Sequence, residues 1–169
     1  MNGRFNFMYK YFLFFSFIIL SGCYGFKGIS IPPDINTFFV EDFENRAPNA
    51  PGAIEQTFAE ALRTKVRNES KLRLTDPSAD ITFSGTVNVF RITSEAPQEG
   101  NTIAFNRLTI GVSIDYKNNR NEDDSWSQSF SFFRDFDSNA DFQSLQDEFI
   151  DEIFVQITED IFNRAFTNW

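Results

Sequence analysis

Residues 80–93 read DITFSGTVNVFRIT, and the alternation in that stretch decides the fold. Ile81, Phe83, Val87 and Val89 recur on one face before the phase shifts to Phe90 and Ile92. Apolar side chains at a period of two define a strand with one face on a core and the other toward water. The same reading extends in both directions. Thr102 to Tyr116 alternates as Ile103 and Phe105, then Leu108, Ile110, Val112, Ile114 and Tyr116, and the slip near Asn106-Arg107 predicts a bulge or bend. Ser125 to Phe133 sets Trp126, Phe130 and Phe132 against Ser125, Ser127, Ser129 and Ser131, a half-exposed strand. Upstream, Leu72 and Leu74 mark a short strand, and Ile35 to Glu41 another, whose Phe38-Phe39-Val40 run predicts burial on both faces.

Two helical patterns bracket the later strands. Ile54, Phe58, Ala61, Leu62 and Val66 form one stripe over Ala53 to Glu69, with Glu55, Glu60, Arg63 and Arg67 off it. Ile150, Ile153, Phe154, Ile157, Ile161 and Ala165 form another, on a helix from Phe142 or Ser144 to Thr167. Asn45 to Gly52, with two prolines and two asparagines, reads as a loop. The order is β-α-β-β-β-β-α. It predicts an α+β fold, a two-layer sandwich with both helices on one face of a mostly antiparallel mixed sheet.

The amino terminus carries a different message. Arg4 and Lys10 precede an apolar run, Tyr11 to Leu20, that is too short to span a bilayer of about 30 Å. Leu20-Ser21-Gly22 then leads to Cys23, the only cysteine. Small residues before a cysteine resemble the lipobox of bacterial lipoproteins. That resemblance implies a signal peptide over residues 1–22, cleavage before Cys23, and acylation of Cys23, palmitate included. The alternative is an ordinary signal peptide with a chance cysteine. One acyl chain anchors only marginally, so durable anchoring implies more than one. Tyr24, where an aspartate would mark inner-membrane retention in lipoproteins, points to the outer membrane on its periplasmic side. Residues 23–34, with Pro32-Pro33, read as a lipidated tether, and residues 35–169 as a single α+β domain.

Charge and composition remove whole classes of function. The chain carries 15 Lys and Arg against 24 Asp and Glu, a net charge of −9. Loss of residues 1–22, which hold Arg4 and Lys10 and no acid, makes this −11. Such a domain does not bind nucleic acid without a local basic face. There is no histidine, so the commonest general base and metal ligand are both missing. No Gly-rich phosphate loop follows a strand, and no nucleophile has a base beside it. The reading is of a non-enzyme without catalytic residues, cofactor or metal. The loop Asn118 to Asp124, near Asp115, is rich in oxygen donors but lacks the Gly and closing Glu of an EF-hand; it reads as a polar hairpin. Asp147 with Asp151, and Glu148 with Glu152, share one solvated helix face and lack the contrasting environments acid–base catalysis needs.

Several stretches taken together resemble the LptE family of lipopolysaccharide-assembly lipoproteins. They are the lipobox with Gly25-Phe26 and Ile31-Pro32-Pro33, then Phe43-Glu44-Asn45-Arg46, and the closing Ile161-Phe162-Asn163-Arg164 with Asn168-Trp169. The resemblance implies a two-helix, sheet-based sandwich that plugs and helps assemble LptD, a large outer-membrane β-barrel. It also implies help in inserting lipopolysaccharide into the outer leaflet. The resemblance further implies that basic residues bind lipopolysaccharide; the candidates are Arg63, Arg67, Lys71 and Arg73, three guanidinium groups and one ammonium that suit lipid A phosphates. The competing account is a solvated helix end whose cations complement the dipole. Phe43, Glu44, Asn45 and Arg46 are expected to flank a turn after the first strand, with Glu44 and Arg46 pairing, capping the next helix or meeting the barrel wall. Trp169 is either a plug of the core under the sheet, the expected place, or an exposed anchor. A rival reading is a periplasmic lipoprotein adaptor for a cell-wall enzyme or peptidoglycan; another is a lipid carrier, which needs an apolar cavity between helices and sheet.

Overall fold

A computed structural model of the chain describes residues 30–95 and 104–167. Its strands are β1 (Thr37–Val40), β2 (Glu44–Asn45), β3 (Arg73–Leu74), β4 (Ile81–Glu95), β5 (Phe105–Asn118) and β6 (Trp126–Asp137). Its helices are α1 (Ile54–Glu69) between β2 and β3, and α2 (Phe142–Phe166) at the end. The sheet runs β3-β1-β4-β5-β6, with β2 alongside β4. β1 is parallel to β3 and β4, β2 is parallel to β4, and β4, β5 and β6 form long antiparallel pairs. The α+β class and its mixed sheet are as expected.

The order gains one element. Glu44–Asn45 is a strand, where the sequence suggested a turn, because the chain resumes pairing with β4 at Thr86 and Val87 after leaving it at Phe83. Gly85 lies between those two stretches of pairing. At φ 156° it brings its backbone so close to β5 that a Cβ would sit 2.0 Å from the Ser113 carbonyl oxygen, and 3.1 Å from the Phe43 ring.

The bulge also moves. β5 pairs β6 without interruption through Asn106 and Arg107, so no bend occurs there. Phe105 and Leu108 differ in phase because they lie on opposite faces: Leu108 is fully buried under the helices, while Phe105 shares the outer face with Arg107. The register shift falls in β4, where Val87 pairs Val112 and Val89 pairs Gly111, leaving Asn88 extra. That extra residue turns Val89 outward and Phe90 inward. Gly111 makes room opposite, since a Cβ there would lie 3.1 Å from the Val89 side chain.

Both helices cover the inner face. Phe38, Phe58, Phe83 and Phe154 are its largest fully buried residues, joined by Ile81, Leu108, Ile110 and Ile114. Edge-to-face rings run from Phe43 to Phe58 (5.0 Å) and on to Phe154 (5.1 Å), tying the β1–β2 link, first helix and second helix together. Lys65 clasps the helices, pairing with Glu69 at 2.6 Å and with Glu159 of α2. Phe39 is only half-buried, because β1 has helices on one face alone. Ala59 takes the fully buried place expected of Ala61, which sits half-buried toward α2. Phe130 is buried as expected, but Phe132 stays 36% exposed. Asp141 caps α2, its side chain accepting from the Gln143 amide, so the helix starts at Phe142.

Candidate interface for lipid and partner

The Phe43–Arg46 motif divides by depth. Phe43 is buried on Phe58 and over Gly85, and the Asn45 side chain accepts from the Ala47 amide at 3.0 Å, shaping the exit from β2. Glu44 and Arg46 pair at 2.6 Å on the surface, both side chains more than 60% exposed. An ion pair so exposed contributes about 0–1 kcal/mol, so the apolar ring, and not the charges, fixes this motif. The Arg46 amide meanwhile donates to the Val87 carbonyl at 2.8 Å.

The four basic candidates separate into two kinds. Arg63 is committed: it donates to the Val40 carbonyl at 3.0 Å, with Asp42 at 3.5 Å and Glu60 at 3.6 Å. Its guanidinium therefore closes the carboxyl end of β1. Arg67, one turn later on α1, is exposed and reaches only the Thr64 hydroxyl, at 3.5 Å. Lys71 and Arg73 are exposed on the short segment that follows. Arg73 pairs Thr37 at the start of β1, three residues or about 10 Å from the end that Arg63 occupies. Arg67, Lys71 and Arg73 thus flank the exposed corner where α1 leads into β3, while Arg63, one turn before Arg67, is held to the end of β1.

Near that corner stands a polar hub that the sequence reading missed. The Asp80 side chain is 7% exposed, and one oxygen accepts from the Asn36 amide (2.9 Å), the Thr37 amide (3.0 Å) and the Thr37 hydroxyl (2.9 Å). The other oxygen accepts from Arg120 at 2.6 Å. The Asn36 amide first, then the Thr37 hydroxyl and Arg120, hold its carboxyl down at about 2 against the burial that opposes ionisation. Its signal was an aspartate opening a strand pattern, which by itself reads as a solvated turn.

The outer face of the sheet is the second surface. Ser113, Ser127, Ser129 and Ser131 line it, Ser113 and Ser129 joined through their hydroxyls at 2.9 Å. At one end Arg107 lies 3.8 Å from the centre of the Phe133 ring and 5.9 Å from that of Phe105, with Asp135 gripping it through two bonds of 2.6 and 2.9 Å. Reading Phe105 as part of a bend hid this cluster.

The remaining candidates are accounted for locally. Asn118 accepts from the Arg120 and Asn121 amides, and Asp124 from the Asn121 side chain, so the oxygens of the β5–β6 loop hold the loop's own shape. Glu152 pairs with Arg134 at 2.7 Å, bracing α2 on β6. Among the described residues no group of His, Cys, Asp and Glu is placed to hold a metal ion, and no helix is long and apolar enough to cross a membrane. Cys23 and Trp169 lie outside the described residues.

Comparison with known proteins is consistent with this architecture. Lipoprotein B of Nitrosomonas europaea superposes with a TM-score of 0.53 at 10% identity, covering 79% of this chain and 82% of that one. Protein CT253 of Chlamydia trachomatis gives 0.52 at 10% identity, covering 78% and 98%. A Xanthomonas campestris protein gives 0.51 at 12% identity, covering 79% and 88%. At such identities the likeness is one of fold. No curated protein matches the chain in sequence. The family model described as "LptE: Lipopolysaccharide-assembly" matches residues 35–165, the span from just before β1 almost to the end of α2, and the chain therefore belongs to the LptE lipopolysaccharide-assembly family.

Proposed function

We propose that this protein is a lipid-anchored, non-enzymatic subunit of the lipopolysaccharide translocon, which plugs the LptD β-barrel and helps it assemble. Family membership carries the reading. The shape is compatible with it: one sheet face is closed by helices and the other carries a row of serines suited to the polar lumen of a barrel of more than about twenty strands. Cleavage after residue 22 and acylation of Cys23 would hold the domain at the periplasmic side of the outer membrane. The tether then keeps it at high effective concentration beside its partner.

Within this role, Arg67, Lys71 and Arg73 are the side chains we assign to lipid A phosphates, with Arg63 held back by its backbone and carboxylate partners. The lipid-carrier alternative lacks support. The space between helices and sheet is filled by Phe38, Phe58, Phe83, Phe154 and the isoleucines around them. The test is purification from outer membranes in detergent with a tag after Trp169. A stoichiometric large β-barrel co-purifying supports the proposal. Recovery of cell-wall enzymes, or of the folded and acylated protein alone, rejects it in favour of an adaptor.

A further inference from the structure

The chain enters the domain at one end of its helices. The Ser30 amide donates at 2.8 Å to the carbonyl of Phe166, the last residue of α2. Ile31 packs against the core, and Pro32 and Pro33 share a hollow of about 350 Å³ with Ser70 and Lys71, just past the end of α1. The Arg73 amide donates to the Asn36 carbonyl at 3.0 Å. The landing of the tether and the corner of Arg67, Lys71 and Arg73 are therefore one place. Seven residues separate Cys23 from Ser30, a span of at most about 25 Å, whereas α2 alone is about 36 Å long.

Charge is graded along that length. Asp141, Asp147, Glu148 and Asp151 are exposed at the start and in the first half of α2, without a cationic partner among the described residues. Beside the tether, Glu69 is taken by Lys65, and Arg67, Lys71 and Arg73 outnumber the exposed Asp34 and Asp76. The acids of the β5–β6 loop, Glu122, Asp123 and Asp124, stand at this end too. They are three to four strand spacings from β3, about 14–19 Å and beyond the screening length.

We propose that the anchored protein, before its barrel takes it up, stands end-on, with Arg67, Lys71 and Arg73 on the anionic phospholipid headgroups of the leaflet that holds Cys23. The occupant follows from reach and from charge. Headgroup phosphates are the anions that a seven-residue tether keeps within range of the corner, and the same surface repels the acidic start of α2. A basic patch also supplies the second signal that durable lipid anchoring needs. Three cations at such a surface favour the docked orientation on the order of a hundredfold. The same cations meet lipid A once the domain is in its barrel. Docking of this kind depends on the acylation of Cys23 proposed above, and not on the barrel.

The acylated full chain, reconstituted in vesicles of phosphatidylglycerol and phosphatidylethanolamine, tests the orientation by energy transfer to a headgroup dye. The donor sits on Asn68→Cys, beside the corner, or on Ser138→Cys; both positions are exposed, and they are about 30 Å apart along the helices. Transfer from residue 68 is expected to exceed that from residue 138 severalfold. The difference should fall by more than half in phosphatidylcholine vesicles, in about 0.5 M salt, and in the triple variant Arg67→Glu, Lys71→Glu, Arg73→Glu of unchanged circular dichroism. Equal transfer from the two sites in anionic vesicles overturns the proposal. So does a difference that persists undiminished in phosphatidylcholine or in salt, because the tether alone would then orient the domain. Mass spectrometry of Cys23 keeps the two readings apart: a chain without acyl groups overturns the anchoring and the docking with it, whereas an acylated chain with equal transfer overturns the docking alone.

Discussion

Replacing Asp80 by Asn keeps the size of the side chain and removes its charge, and the hub around it sets the cost. Displacement of the carboxyl from its ordinary value of 3.8 to about 2 corresponds to about 2 kcal/mol of folding stability at neutral pH. The side chain is 7% exposed, so water screens this little. In the variant the amide oxygen can take the three donors from Asn36 and Thr37, but its NH₂ then faces the Arg120 guanidinium, donor against donor. A loss of about 2–3 kcal/mol at pH 7 is expected. The folded value lies below the unfolded one. The contribution is therefore present in full above about pH 4–5 and disappears as pH falls through about 2, so the two proteins converge in stability there. Urea unfolding followed by the fluorescence of Trp126, stacked 5.2 Å from Tyr116, measures it. A difference independent of pH from 7 to 2 refutes the electrostatic origin. Arg120→Ala separates the causes: Arg120 is 58% exposed, so it should cost only about 0.5–1 kcal/mol. An equal cost for both variants would make the ion pair, and not the backbone amides, the dominant partner.

Four further outcomes are expected. Gly85→Ala, whose Cβ meets the Ser113 carbonyl at 2.0 Å, should lose about 2–4 kcal/mol or fail to fold, read as a drop in urea midpoint. Ala53→Gly should gain about 0.5–1 kcal/mol in the same assay, because Ala53 precedes α1 at φ 64°, where a Cβ is strained. Phe58→Ala, which removes the ring between Phe43 and Phe154, should cost about 3–5 kcal/mol. The triple change Arg67→Glu, Lys71→Glu, Arg73→Glu should abolish binding of purified lipopolysaccharide while leaving the thermal midpoint within a few degrees, whereas Arg63→Glu should lower that midpoint.

What could be read from the sequence was whatever repeats. The alternation of β4, β5 and β6 and the stripes of α1 and α2 each rest on several residues, so the layers and the buried face follow from them. Single positions defeated the same reasoning. The slip at Asn106-Arg107 and the slip at Val89-Phe90 look alike in sequence. One is a change of face by an aromatic that finds Arg107 and Phe133, and the other is a true extra residue at Asn88. Only the partner strands distinguish them. Glu44–Asn45 was illegible as a strand for a similar reason: two residues have no period, and what makes them pair is β4 passing beside them. The candidate site was half legible. Basic residues near the end of α1 were visible, but Arg63 was separated from the others only by a carbonyl 23 residues away.

That separation bears on how an acidic protein can take an anionic lipid. The chain as a whole carries −9, yet charges more than about 8–10 Å apart are largely screened at physiological salt. The local balance therefore decides. Arg46, Arg63, Lys65, Arg107, Arg120 and Arg134 all lie in ion pairs with carboxylates. Arg67, Lys71 and Arg73 do not, nor do Arg91, Lys117 and Arg164, but only the first three fall within seven residues, 67–73, where α1 leads into β3, and the carboxylate between them, Glu69, is taken by Lys65. The acid excess consists of carboxylates without a cationic partner, Glu122, Asp123 and Asp124 of the β5–β6 loop among them. A triple substitution at the free corner should remove binding, whereas raising the net charge by the same amount through Glu122, Asp123 and Asp124 should leave it unchanged. A gain of binding from the second set that mirrors the loss from the first, measured on purified lipopolysaccharide, would mean that overall charge and not this corner governs the interaction.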